Sequence, residues 1–354
     1  MAMTRDDIDT PAVLIDVPRA ERNLRKAQAH ADSLQLRLRP HIKTHKLPRL
    51  AQLQVALGSC GITCQKLGEA EIMADAGLSD ILLTFNIIGA AKLARLKALA
   101  DRITLSVVAD SAYAVGGYAE TFANGSAPMT VLVECDTGMG RCGVQIPHEA
   151  LTLARQIDAA PGLHFGGLMT YPPAGRPEEA ADWLRAARSL LSDAGLPPER
   201  ISSGGTPDLW PRAFAGIATE HRPGTYIYMD RSMIERGTCT VEDCALSVLA
   251  TVVSAPAPGR IVVDAGSKTL SSDTMGMQGF GLLPAFPEAR IGSLSEEHGV
   301  IDVSACAKAP GIGEKILIIP NHACVVTNLF DHVHLIAADG AVERVRVDAR
   351  GRVD

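Results

Sequence analysis

Between residues 12 and 228, short apolar runs that read as strands alternate with longer Ala-, Leu-, Arg- and Glu-rich runs of helical period. A parallel strand is reached only through a crossover, so such a succession builds a parallel sheet covered by helices. Strands are expected at 38–43, 61–65, 80–85, 103–109, 129–136, 163–171, 200–204 and 222–228, with helices between most of them, for example 177–194. Eight βα units over this length predict an α/β fold built on a TIM-type (β/α)8 barrel, with an open doubly wound sheet as the other arrangement. A further strand at 12–17, after which Pro18 opens a helix to about residue 34, has no place inside such a barrel.

Near Asp243 the period changes. Residues 244–254 are apolar, Pro256-Ala257-Pro258-Gly259 is a turn, and strands are expected at 261–264 and 315–319. Residues 332–338 and 341–347, joined by Asp339-Gly340, read as a hairpin. Helical periodicity is nearly absent beyond residue 245. The expected domains are therefore a barrel over 11–242 and a mostly antiparallel β domain over 243–354, which the strand at 12–17 is free to join.

Composition narrows the class. A net charge of -6 without a long basic run argues against a nucleic-acid partner, and no apolar run approaches the roughly 18 residues of a membrane span. The first ten residues are polar and acidic, unlike a secretory signal. Eight cysteines without CxxC spacing suit reduced thiols, and the expectation is a cytoplasmic protein.

In a βα barrel, functional groups sit on the loops that follow the strands. Those loops carry Lys43, Gln65, Arg141, Tyr171, the run Ser203-Gly204-Gly205-Thr206 and the run Arg222-Pro223-Gly224-Thr225. Lys43 lies in Arg39-Pro40-His41-Ile42-Lys43-Thr44-His45-Lys46, which on residue types alone reads first as a basic loop that binds solvent or a phosphate. A lysine at a buried strand end is also what a Schiff-base nucleophile requires. The two glycine-bearing loops belong to the last two strands, where backbone N–H groups and the Thr206 and Thr225 hydroxyls can receive a phosphate. A lysine with a phosphate cup is what pyridoxal 5'-phosphate needs. Arg141, set among glycines, is either a cofactor contact or a surface arginine, and Tyr171 either packs on the cofactor or belongs to the core.

The later domain offers Pro320-Asn321-His322-Ala323-Cys324. In an extended segment, residues two apart face the same side, so His322 and Cys324 would present an imidazole and a thiolate together. That pair suits zinc or another borderline divalent ion with open positions, as well as a buried cysteine beside a hydrogen-bonded histidine. Ser295-Glu296-Glu297-His298-Gly299 adds an imidazole, and His298 is a candidate catalytic group.

Taken together, these segments resemble the pyridoxal-phosphate enzymes of the alanine-racemase fold type, and within them the D-threonine aldolase and D-serine dehydratase family. Thr10-Pro11-Ala12, residues 39–46, 138–143, 203–206 and 222–224, Asp264-Ala265-Gly266-Ser267-Lys268, residues 295–299 and 321–324 carry the resemblance in this order. It implies a homodimer with the active site at the subunit interface. It implies Lys43, rather than Lys46, as the cofactor lysine, with the phosphate on Gly205, Thr206, Gly224 and Thr225 and the ring beside Arg141 and Tyr171. It implies a divalent metal, zinc or manganese, on His322 and Cys324, gripping the β-hydroxyl of a D-amino acid.

Retro-aldol cleavage to glycine and an aldehyde is the expected reaction, and β-elimination to a keto acid and ammonia is the alternative. Two departures bear on the choice. The family's aldolases carry a histidine soon after the barrel tyrosine, whereas Tyr171 precedes Pro172-Pro173-Ala174-Gly175-Arg176-Pro177, which leaves the base to His298 or to water on the metal. Cys324 at the second ligand position is more like the dehydratases, while residues 267–273 and 327–331 are more like the aldolases. A racemase, or a protein that only holds its cofactor, are the other classes. The first needs no metal and the second no β domain.

Overall fold

A computed structural model describes residues 4–125, 127–210 and 212–354. Its contacts divide into two compact units, one made of residues 27–43, 48–224 and 352–354, the other of 1–26, 44–47 and 225–351. The chain opens with β1 (Ala12–Asp16) and α1 (Val17–Ser33).

The first unit is the barrel. Its strands are β2 (Arg37–Leu38), β3 (Ile62–Cys64), β4 (Asp80–Leu83), β5 (Thr104–Ala109), β6 (Met129–Cys135), β7 (Leu163–Thr170), β8 (Arg200–Ser203) and β9 (Glu220–His221). All pair in parallel, in the order β2-β9-β8-β7-β6-β5-β4-β3, and a parallel bridge from His41 to Thr63 closes β2's continuation onto β3. The intervening helices are α2 (Pro48–Ala56), α3 (Leu67–Asp75), α4 (Ala90–Ala100), α5 (Ala112–Phe122), α6 (Pro147–Ala159) and α7 (Pro177–Asp193). Two strands are shorter or earlier than the sequence suggests. Pro40 and Pro223 offer no N–H to a ladder, so residues 42–44 and 225–227 form 3-10 turns and the last barrel strand is β9, ahead of the expected 222–228.

The interior is layered. Side chains two apart on a strand share a face, so Leu82, Val108 and Leu132 point the same way as Asp80, Ser106 and Glu134. With Met169 they form one apolar cluster. Toward the strand starts lies an ion network, in which Arg39 reaches Asp80 at 2.6 Å and the fully buried Glu220 at 3.2 Å, and Arg200 donates to Ser106 at 2.7 Å. Toward the strand ends the same face carries Glu134.

The second unit is built on β10 (Leu246–Ala257), β11 (Arg260–Val263), β12 (Arg290–Leu294), β13 (Gly299–Asp302), β14 (Lys315–Ile318), β15 (His332–Ile336) and β16 (Val342–Arg346). The sheet order is β12-β13-β11-β10-β1-β15-β16, with β14 also paired to β10. Apart from β1 beside β15, the ladders are antiparallel. β1 therefore sits in this sheet, and Ile8, Ala12, Leu14 and Leu249 form a core cluster. Three short helices complete the unit, α8 (Arg231–Glu235), α9 (Ser267–Leu270) and α10 (Ala323–Leu329).

The long segment of this unit starts at Thr225, whereas the sequence places the boundary at 243. The reason is backbone bonding. Arg231 and Ser232 donate to the carbonyls of Pro320 and Asn321, and Ala245 donates to Tyr228. At the other end, residues 352–354 join the barrel unit, where Asp354 pairs with Arg95 and its carbonyl accepts from Gly68.

Removing one member of a buried ion pair leaves the other uncompensated. Arg39→Ala should therefore destabilise the barrel by about 3–5 kcal/mol, while the apolar double variant Arg39→Met/Glu220→Leu should recover most of that loss. Urea unfolding followed by circular dichroism measures both.

Candidate functional site

The barrel unit gathers one group of expected residues at its strand ends. Lys43 is half-buried on the 3-10 turn after β2, and its backbone N–H donates to His41 Nδ1 at 3.3 Å. His41 Nε2 meets Gln65 Oε1 at 3.1 Å, and Gln65 Nε2 donates to the Thr84 carbonyl at 2.8 Å. Lys43 Nζ lies 6.0 Å from the Tyr171 ring centre, and the Arg141 guanidinium carbon lies 5.3 Å from it. The motif's other lysine is in the second unit, where Lys46 Nζ is buried and donates to the Ala349 carbonyl.

Arg141 rides on a loop pinned by one carboxylate. Asp136 accepts from the N–H groups of Gly138, Met139 and Gly140 at 2.7–3.1 Å. Burial works to raise its pKa, but those donors hold it below the usual carboxylate range. Gly143 closes the loop at φ +120°, and a side chain there would meet the Asp136 backbone nitrogen at 2.4 Å.

Arg222 is buried, donating to Ser202 Oγ at 2.9 Å and to the Thr170 carbonyl at 2.7 Å. Burial brings it down to about 10. Between the arginines' fields lies Glu134, which sequence reasoning missed because one glutamate inside a strand carries no spacing signal. Burial first, and Asp110 second, push it up to about 7 against the pull of Arg141 and Arg222.

The glycine loop after β8 forms a tight cup. Gly224 N–H donates to Thr206 Oγ1 at 3.2 Å. A Cβ on Gly205 would stand 2.8 Å from the Tyr171 ring, so only glycine lets that ring close over the loop. Ser203 Oγ is buried with no partner among the described residues. An orphaned hydroxyl in a buried glycine loop, with a lysine and an aromatic ring on the same strand ends, fits a phosphorylated aldehyde such as pyridoxal phosphate.

The β unit holds the second group. His322 caps α10 and Cys324 lies in its first turn, so the pair is not extended as the spacing argument assumed. The side chains still meet in a hydrogen bond. His322 Nδ1 is 2.6 Å from Asp273 Oδ2, a partner far away in sequence and therefore invisible there. Burial works to lower His322, and Cys324 and Asp273 together override it, raising the imidazole to about 9. Cys324 Sγ lies 3.1 Å from Thr44 Oγ1 and 3.5 Å from Thr225 Oγ1, so the Thr225 hydroxyl expected at a phosphate faces the sulfur. Along the chain, Thr44 follows Lys43 and Thr225 follows Gly224.

No three His, Cys, Asp or Glu side chains among the described residues converge as ligands. The donor chemistry nevertheless fits an open divalent site. A carboxylate fixes Nδ1 and leaves Nε2 for a cation, a thiol stands beside it, and the buried Tyr228 hydroxyl has no partner among the described residues while feeling the charge of Cys324. His298 is exposed in the turn between β12 and β13, where its carbonyl accepts from Ser295 N–H.

Two family profiles cover most of the chain. "Alanine racemase, N-terminal domain" matches residues 15–232, and "Putative serine dehydratase domain" matches 245–336. A D-threonine aldolase from Arthrobacter sp is 37% identical over 97% of this chain and 93% of its own length. The crystal structure of D-threonine aldolase from Filomicrobium marinum superposes with a TM-score of 0.92 at 34% identity, covering 100% of this chain and 99% of the other. D-threo-3-hydroxyaspartate dehydratase from Delftia sp. HT23 superposes at 0.88 with 31% identity, covering 97% and 98%. A D-threo-3-hydroxyaspartate dehydratase has also been solved with alanine in place of a histidine and, separately, of a cysteine two positions later, the latter in a metal-free form.

Glu134 yields a pH prediction. Its unfolded carboxyl titrates near 4.5 and its native one near 7, so the native state binds the extra proton and stability falls as pH rises through that window. The wild type should lose on the order of 1–3 kcal/mol between about pH 5 and about pH 8. Glu134→Gln, which cannot ionise, should lose less, as denaturant unfolding at both values will show.

Proposed function

The chain belongs to the D-threonine aldolase and D-serine dehydratase family of the alanine-racemase fold, and from that premise we propose that it is a pyridoxal-phosphate- and divalent-metal-dependent lyase. Its substrates are D-β-hydroxy-α-amino acids, D-threonine first, cleaved to glycine and an aldehyde. The observation that carries the reading is the presence in one chain of Lys43 with a glycine cup and of a His322–Cys324 pair steadied by Asp273.

Ser203, Gly205, Thr206 and Gly224 would hold the phosphate, with Thr225 next in the chain. Gln65, Arg141, Tyr171 and Arg222 would surround the ring. His322 and Cys324 would hold zinc or manganese, the spacing matching the histidine and cysteine altered in a D-threo-3-hydroxyaspartate dehydratase. Once bound, pyridoxal phosphate supplies an electron sink for bonds broken at Cα, and the cation supplies a Lewis acid for the β-hydroxyl.

The chain's own groups do the rest. Lys43 Nζ would be the amine that holds the cofactor and the group that moves a proton at Cα. Arg222, clamped by Ser202 and Thr170, keeps a fixed positive charge in the barrel mouth. Asp273 orients His322 and raises its basicity. No imidazole follows Tyr171 in residues 172–177, which leaves the base for the hydroxyl proton to His298, exposed on its turn, or to water on the cation. The reading includes a homodimer working in the cytoplasm. Among the described residues no helix is long and apolar enough to cross a membrane.

Cys324 favours a second reading, β-elimination of D-serine or D-3-hydroxyaspartate. The test incubates cofactor-saturated protein, with zinc or manganese, on D-threonine and D-serine and resolves the products by mass. Glycine and acetaldehyde support cleavage, keto acid and ammonia support elimination, and racemisation indifferent to a chelator would contradict both. Asp273→Asn should weaken cation binding about 10–100-fold while leaving cofactor retention through gel filtration unchanged.

A further inference from the structure

Behind the glycine cup lies a feature that the proposed chemistry does not use. His221 ends β9 in register with Ser203 and is 6% exposed. Its ring packs against Gly204, where an added Cβ would stand 2.2 Å from Nδ1 and Cε1. Gly204 adopts φ +93°, so a glycine is required there both for its backbone and for the imidazole's seat. The ring is hydrogen-bonded to the backbone of Gly205. Its Nε2 is buried and has no partner among the described residues, so the Gly205 bond is made by Nδ1.

His221 also lines a small cavity of about 10 Å³, room for roughly one water molecule. Leu36, Leu38, Leu209 and Phe214 wall it, and His30 of α1 enters it. His30 Nε2 is likewise buried without a partner among the described residues, and the His30 ring stands edge-on to Trp210 at 5.3 Å. Both histidines thus line one apolar cavity, and the Nε2 of each is buried without a partner among the described residues. An uncompensated cation there would pay a large desolvation penalty, whereas a neutral water satisfies both nitrogens. Burial, with Arg222 and His30 nearby, brings His221 down to about 4 and keeps its ring neutral near neutral pH.

We propose that His221 is a positioning residue for the phosphate cup, held in place by one buried water shared with His30, so that a side chain on α1 sets how tightly the chain grips its cofactor's phosphate. The inference rests on the reading that residues 203–206 receive that phosphate. Orphaned buried nitrogens are costly, and sharing a water fixes the imidazole, which in turn fixes the Gly205 peptide whose neighbours face the anion.

The test compares pyridoxal phosphate with pyridoxal, which lacks the phosphate, by equilibrium titration of wild type, His30→Leu, His30→Gln, His221→Asn and His221→Leu. The expected result is a several-fold loss of pyridoxal phosphate affinity in His30→Leu and a larger loss in His221→Leu, with pyridoxal affinity unchanged. His30→Gln, whose amide reaches the Nε2 position, should retain wild-type affinity, as should His221→Asn at the Nδ1 position in part. The double variant His30→Leu/His221→Leu should be no worse than His221→Leu alone, because the two act through one contact. Unchanged phosphate affinity in His30→Leu, or equal losses for both ligands, would overturn the proposal. A wild type that binds both ligands alike would instead remove the phosphate cup itself, and the inference with it.

Discussion

The β unit's His322–Cys324 pair hangs on Asp230, a carboxylate with 0% exposure. One oxygen accepts from Ser232 Oγ at 2.6 Å and from Met233 N–H at 3.2 Å, which caps α8. The other accepts from the N–H of Ala323 at 2.9 Å, which starts α10 between His322 and Cys324. A buried carboxylate is tolerated only when its oxygens are satisfied, and the donors here come from two helix starts, where free N–H groups are unavoidable. Satisfying one need satisfies the other. The histidine and cysteine are therefore fixed by backbone bonds before any cation is considered, and Asp273 then sets the direction of the imidazole.

The barrel unit solves the same problem with a different carboxylate. Asp136 gathers three successive N–H groups and turns a glycine-rich stretch into a defined loop that carries Arg141. Below it the strand interiors change character along the axis, from the Arg39–Glu220 ion network through an apolar layer to Glu134 and Arg222. The ionic and apolar layers support the fold, and in the proposed reading the last layer faces the cofactor. This is the usual economy of a βα barrel, in which strand starts stabilise and strand ends react.

Much of this was legible in the chain. The alternation of periods predicts the barrel because crossover geometry leaves few alternatives, and Lys43, Tyr171, Arg141 and the two glycine loops emerge on strand ends together. Boundaries were less legible. Prolines 40 and 223 cut two strands to two residues each, and the pull of residues 320–323 on residues 230–232 moved the unit boundary to Thr225. His322 and Cys324 were found through an argument about extended chain that does not hold, since α10 is too short to leave a periodic signal. Asp273, Glu134 and the His30–His221 cavity left no trace in sequence because each depends on residues brought together by folding.

The account's central claim is a division of labour, with cofactor binding in the barrel unit and cation binding in the β unit. Measuring zinc by mass spectrometry and pyridoxal phosphate by absorbance on the same sample of Cys324→Ser tests it most directly. The account predicts that zinc is lost while pyridoxal phosphate remains stoichiometric. Zinc retained at the wild-type level, or cofactor lost together with zinc, would contradict it.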